Sequence, residues 1–278
     1  MSEGINLALL PPLDVVQQVD LEAIIADIAS RAALENASPS DPAYRVALAA
    51  AYREMMLRQD ANEQAKGLML AFAVGPQLDH LGVTYYRNPD GSPVLRLSDE
   101  NDHDFKYRLQ LSTEGLSVAG PEGSYKYHAT SAHTDVKSVQ VLSPAPVEIE
   151  LCILSYVGNG VASQEVLDAV NAKTQLNRPL TDLVTTYSAD IIEYQITATL
   201  YVKSTPDPAL VKAASEISAA KFGISKHYFN SKVKESSVHA ALTVEGVEYV
   251  ELTDWNDIEC GEKQAPFCTQ INVMLSII

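Results

Sequence analysis

The chain has 278 residues, 46 % of them hydrophobic, enough for one large domain or two to three small ones. Asp and Glu number 36 against 20 Lys and Arg, a formal charge of -16, so neither a nucleic acid nor an anionic membrane surface is an expected partner. No apolar run approaches the roughly 20 residues of a membrane span, Met1–Leu10 lacks the regions of a secretory leader, and Cys152, Cys260 and Cys268 follow no framework spacing and read as reduced thiols.

Residues 13–36 read as helical, with Asp20 capping the segment that bears Leu21, Ile24, Ile25 and Ile28. Ala37-Ser38-Pro39 breaks it. Ser40-Asp41-Pro42 opens a second helix, a capping residue ahead of a first-turn proline, predicted to run to Val74 and to stop at Gly75-Pro76. Tyr44, Leu48, Tyr52, Met55, Met69 and Ala73 share one side at helical spacing. Gln59, Asn62 and Lys66 interrupt that seam, as polar residues do where they fix register in a bundle. Residues 67–74 are apolar all round, and a helix of that kind needs cover on every side. An internal hairpin or a partner subunit would supply it. The interface expected on this reading comprises Tyr44, Leu48, Tyr52, Met55, Asn62, Met69 and Phe72.

Leu78-Asp79-His80-Leu81-Gly82 reads as a helical turn with a C-terminal glycine. Ser98-Asp99-Glu100 opens the next helix, and the acids at 99, 100, 102 and 104 read as a solvated N-terminal cluster. Gly120-Pro121 is a loop-to-helix junction, with the proline placed for the first helical position. Tyr125, His128 and Ala129 share a face of the helix that follows.

After Ala132 the apolar period changes from that of a helix to that of a strand. Strands are predicted at Val136–Leu142, Val147–Ile153, Leu183–Tyr187, Ile192–Val202, Val247–Leu252 and Ile271–Leu275, and helices at Ser163–Leu176, Pro208–Phe222 and Ser237–Leu242. Glu148 and Glu150 alternate with apolar residues, so the second strand is expected to be half exposed. The order strand, helix, strand occurs twice. The fold class is therefore α+β: an N-terminal helical region with a long bundle-forming helix, then two small α/β sandwiches in tandem on mostly antiparallel sheets. The expected parts are residues 1–100, a helical connector at 101–133, a first sandwich at 134–188 and a second at 189–278.

Chemistry is sparse. Gly158-Asn159-Gly160 lies between a strand and a helix, where a dinucleotide fingerprint would sit. Ser163 replaces its third glycine, and no acidic residue ends the following strand. Gly115-Leu116-Ser117-Val118-Ala119 falls short of a nucleophile elbow, because alanine ends it and no strand precedes it. Asp254, Asp257 and Glu259 lack the mid-loop glycine of a calcium loop. Trp255 reads as the anchor of an exposed loop and joins the interface candidates. No catalytic residue, metal or cofactor is expected.

Several blocks, in order, carry a resemblance. They are Asn62-Glu63 with Met69 through Gly75, Leu78 through Gly82, Asp104 through Leu109, Ser117 through Ala132, Asn177 through Asp182, and more loosely Ser236 through Val250. Together these resemble the baseplate J-like family of contractile-tailed phages and related injection devices. The resemblance implies a non-enzymatic wedge subunit repeated around a tail tube under sixfold symmetry. Its partners would be other wedge proteins and further copies of itself, assembled in the host cytoplasm and carried in the virion tail baseplate. It would form the ring and relay host binding to sheath contraction. Two other readings stay open: a small nucleotide-cofactor enzyme using Gly158 and Gly160, and a connector or adaptor elsewhere in a particle.

Overall fold

The computed structural model describes residues 7–11, 19–34, 36–117, 120–204 and 207–278. These divide into two compact units. One comprises the described residues up to Arg96 with Glu100–Gln110; the other comprises Leu97–Asp99 and the described residues of Leu111–Ile278.

The first unit is helical. After a short 3-10 turn at Leu7–Leu9, α1 spans Leu21–Arg31. The Asp20 carboxylate caps it, accepting from the Glu22 amide at 2.9 Å. Residues 13–18 of the predicted first helix lie outside the described residues. Helix α2 spans Pro42–Lys66, with Asp41 as its cap and Pro42 in its first turn. It packs on α1, and the buried apolar positions are Ile24 and Ala29 on α1 and Ala47 and Ala51 on α2.

The second helix ends eight residues before the predicted stop. Gly67 caps α2, and its own Cβ would stand 2.5 Å from the Gln77 side chain. The chain then turns on short-range bonds, Met69 to the Lys66 carbonyl and Phe72 to the Met69 carbonyl. Gly75 sits at φ 51°, ahead of the proline that opens α3 at Pro76–Tyr85. The apolar run 67–74 is thus a folded turn. Ala73 enters a core with Leu78, Leu81, Val94, Phe105 and Leu109, while Leu68 and Val74 face outward.

Gly82 lies inside α3 rather than at its end. A Cβ there would meet the Phe105 ring at 2.8 Å and the Val94 carbonyl at 2.9 Å, so glycine permits close packing at this point. Helix α4 spans Asp102–Gly115. Of the acids before and within it, Asp99 is exposed as expected and Glu100 is not. Glu100 forms a bidentate pair with Arg108, at 2.8 and 2.7 Å, and the two side chains are 6 % and 4 % exposed. Asp102 accepts from the Gly75 amide and pairs with Arg96, which also reaches Asp79. Arg96 and Arg108 both lie over the Phe105 ring, at 4.8 and 5.2 Å.

The second unit is mixed. Helix α5 spans Glu122–Thr130, with Pro121 as its cap residue, one position before the predicted place. Strand β1 is Val136–Leu142, β2 is Glu148–Ser155, α6 is Gln164–Asn177 and β3 is Leu183–Ser188. Their sheet has the order β1-β2-β3. The first pair is antiparallel and the second parallel, because α6 is a crossover between β2 and β3. Leu151 to Ser155 are all buried, since β2 is central; the expected half-exposed alternation survives only at its start. Tyr125 and Ala129 of α5 and Val166 and Val170 of α6 complete this core.

A single residue, Ala189, separates β3 from β4 at Asp190–Val202. Helix α7 (Pro208–Lys226), β5 (Lys232–Val233), α8 (Glu235–Leu242), β6 (Val247–Leu252), β7 (Ile258–Glu259) and β8 (Gln264–Ile277) follow. The second sheet has the order β6-β4-β8, again with one antiparallel and one parallel pair, while β5 and β7 form a small ribbon. The sheets are mixed rather than mostly antiparallel. Ile196, Ala198, Leu200 and Val202 of β4 pack with Val211 and Ala219 of α7 and Val238 and Leu242 of α8.

Candidate functional site

Two of the blocks singled out in the sequence meet in the second unit. Gly120 sits at φ 72°, which glycine tolerates best, and its Cβ would press on Pro179 and the Asp182 carboxylate. Two residues on, Glu122 pairs with Lys126 along the first turn of α5. Ser124 Oγ donates back to the Ser117 carbonyl at 3.0 Å. The buried Tyr125 hydroxyl donates to Asp182 at 2.5 Å; burial, then the adjacent carboxylate, pushes the phenol pKa upward. Arg178 closes the clasp from the far side, donating to the Pro179 and Asp182 carbonyls. Val118 and Ala119 lie outside the described residues. On the same helix His128 is 3 % exposed, and burial depresses its pKa to about 4, with Lys173 adding to the shift. The Ser124 and Tyr125 hydroxyls, the Asp182 carboxylate and the Arg178 guanidinium are engaged with one another or with backbone, so the described residues of 117–132 and 177–182 form a structural clasp.

The predicted interface residues divide between faces. On α2, Leu48 and Tyr52 are 42 % and 56 % exposed, while Tyr44 and Met55 are half-buried. Asn62 faces inward with Ala47 and Ala51, so it belongs to the covered side of α2. Val46 and Leu57, eleven residues apart and hence on one face, are 70 % and 58 % exposed. Met69 and Phe72 are half-buried in the turn after α2, not on a continuing seam. Trp255 belongs to the other unit. Its ring meets Tyr194 edge-on at 6.0 Å, its Nε1 donates to Asp257 at 3.3 Å, and it packs on the second core. It anchors the loop before β7.

One exposed apolar face escaped the sequence reading. Leu210, Ile217 and Ile224 of α7 are 70 %, 58 % and 70 % exposed. Their spacing of seven was the available signal, hidden because α7 also has a buried face at Val211, Ser215, Ala219 and Gly223.

The Gly158–Ser163 loop turns back on its own strand. The Ser155 amide donates to the Gly160 carbonyl at 2.8 Å, and Val161 bridges Leu154. The amides of Gly160, Val161 and Ala162 are taken by Val157, Asn159 and Ser188, and the Ser163 hydroxyl caps α6. A phosphate cradle needs such amides free. Gly160 has φ 104°, and a Cβ on it would stand 2.6 Å from His227 Nε2. Beside it opens a cleft of about 550 Å³ lined by Lys137, Tyr156, Ile224, His227, Tyr228 and Phe267 among others. His227 Nδ1 lies 3.0 Å from the Pro266 carbonyl, and burial lowers its pKa. All three cysteines are free thiols, and burial raises their pKa values, which leaves them poor nucleophiles. Among the described residues, no three His, Cys, Asp or Glu side chains stand together as metal ligands.

Residues 39–87 match the Baseplate J-like N-terminal domain, and residues 117–188 match the Baseplate J-like central domain. Along 97 % of its length the chain is 37 % identical to Baseplate protein J of Escherichia phage P2, and it covers 97 % of that protein. The chain belongs to the baseplate J-like family. It is a structural baseplate subunit. Among solved structures it is similar to a chain of the anti-feeding prophage baseplate, with TM-score 0.45 and 12 % identity over 66 % of this chain and 43 % of that one. The two baseplate J-like domain matches fall on distinct pieces. The N-terminal match holds α2, the turn after it and α3; the central match holds α5, the first sheet and the clasp.

Proposed function

We propose that this chain is a wedge subunit of a contractile tail baseplate, repeated with other wedge proteins under sixfold symmetry around the tail tube. It carries no catalysis. Its α/β part works as two small sandwiches in tandem, residues 134–188 and 189–278, joined by the connector 101–133 to a helical region, 1–100. The helical region completes a bundle with a second wedge protein through Tyr44, Leu48, Tyr52 and Met55, with Asn62, Met69 and Phe72 supporting the adjoining turn and Trp255 steadying a contact loop on the α/β part. The sandwiches meet neighbouring copies to close the ring. Assembly takes place in the host cytoplasm, and rearrangement of the ring on host contact releases the sheath. Many modest interfaces allow two stable arrangements of such a ring.

The observation that carries this reading is the match, along 97 % of the chain, to a phage baseplate protein. The occupied amides around Gly158–Ser163 argue against the nucleotide-enzyme alternative. The test is complementation of a tail-assembly system lacking this gene. Tubes and sheaths without baseplates are expected in its absence, and complete particles on its return. Complete, contractile particles formed without it would overturn the proposal.

A further inference from the structure

We propose that α7 is a self-pairing helix, through which two copies of this chain dock in parallel. The inference deepens the baseplate reading by naming a face between copies, and rests on that reading for its setting. Leu210, Ala213, Ile217, Ala220 and Ile224 recur at alternating steps of three and four. That is the seam of a two-stranded coil, with Leu210, Ile217 and Ile224 in the first core position and the alanines in the second. All five are exposed. The opposite face of the helix is already filled by its own sheet through Val211, Ser215, Ala219 and Gly223. A helix apolar on both sides is covered on both sides, and the alanines allow close approach of a partner backbone.

The flanking charges select the occupant. Glu216 precedes one seam step and Lys221 follows the next, five residues later. In a parallel pair these two positions face each other across the interface, Glu216 of one copy to Lys221 of the second, twice by symmetry. In an antiparallel pair about Ile217, Glu216 would face Glu216, and Lys221 would lie beside Ala213 and Ala214 of the second copy with no acid to pair. Local charge also favours this face for self-contact. The chain carries 36 acids, yet α7 holds one acid, Glu216, with Lys212, Lys221 and Lys226. Within its own helix Glu216 is held only loosely by Lys212, at 3.7 Å. Repulsion between two acidic copies is therefore weakest where these helices meet.

Sedimentation velocity of the full chain over a concentration series tests the pairing. A reversible dimer is expected. Ile217→Asp should weaken it by about tenfold or more. Glu216→Lys and Lys221→Glu should each weaken it, and the double swap should restore it. Leu210→Cys should cross-link to itself on mild oxidation, because equal positions oppose one another only in a parallel pair. In an antiparallel pair they stand about 20 Å apart. All these side chains are on the surface, and circular dichroism checks that the variants fold. A monomer at every concentration, a dimer indifferent to Ile217→Asp, or a charge loss that the double swap does not repair would overturn the pairing. Particle assembly in the complementation test would stand or fall separately, so failure here is distinct from failure of the baseplate reading.

Discussion

The α1–α2 pair and the β6-β4-β8 sheet bury their apolar residues on different scales. Helix α2 runs 25 residues but buries only Ala47, Ala51 and Asn62, and leaves Val46, Leu48, Tyr52, Met56 and Leu57 in the open. Strand β4 buries a side chain at every second position from Tyr194 to Val202 and is covered by two helices. Full burial of a Leu or Ile side chain is worth roughly 1.5–3 kcal/mol, so the sheet is stable on its own contacts and the helix pair has most of that gain still to collect. The bundle with a second wedge protein that we propose would supply that missing cover.

Four substitutions or conditions bear on that contrast. The largest effect is expected where the helical unit does have its own core. Arg108→Ala strands the buried Glu100 carboxylate and should cost about 3–5 kcal/mol in chemical denaturation. A loss below 1 kcal/mol would mean that the pair is wet in solution.

Acid comes next. His128 is neutral in the fold, with its pKa at about 4, while the unfolded chain takes up that proton near pH 6.5. Its contribution is complete above about pH 6.5 and is lost as pH falls towards 4, a total of up to about 3 kcal/mol. Denaturation midpoints across this range should show the slope in wild type and a shallower one in His128→Asn. An equal slope would place the acid sensitivity elsewhere.

Tyr125→Phe removes the donor to Asp182 and should lower the stability of the α/β unit by about 1.5–3 kcal/mol, read by thermal unfolding. Thr181, which donates to the other Asp182 oxygen, moderates this towards the lower value. The smallest effect on the isolated chain belongs to Leu48→Asp, within about 0.5 kcal/mol because the residue is exposed. The same change should abolish capture by a cognate wedge protein in a pull-down. Unimpaired capture would move the contact to Val46 and Leu57 on the other side of α2.

Much of the fold was legible wherever local chemistry decided it. Strands β1 and β6 have the predicted ends, and Asp20 and Asp41 cap the helices they were expected to cap. The misreadings arose where a distant residue decided the structure. Residues 67–74 look helical by composition, but Gly67 meets Gln77, and Gly75 with Pro76 forces a restart. Gly82 looks like a cap until Phe105 and Val94 are placed against it. Glu100 looks solvated until Arg108, eight residues away, folds over it. Parallel pairing of β2 with β3 and of β4 with β8 is non-local and leaves no mark in a single strand. The outward placement of Leu48 and Tyr52 on α2 was readable from spacing, whereas Asn62 lies on the covered side. The α7 stripe was readable too, but one helix carried two apolar faces and the buried one accounted for the pattern.

The junction at Ala189 has a mechanical meaning. The ribbon from Leu183 to Val202 crosses from one sheet to the other with that one residue as its joint. Beyond it, β4 runs beside β8 for thirteen registered pairs, from Asp190 with Gln264 to Val202 with Ile277. A tug along β4 therefore loads those rungs in shear, so that they resist together instead of peeling one after another. Displacement applied to the first sheet passes to the second with little slack, because Ala189 is buried with Leu154 and Ala265 and its amide donates to the Ile153 carbonyl.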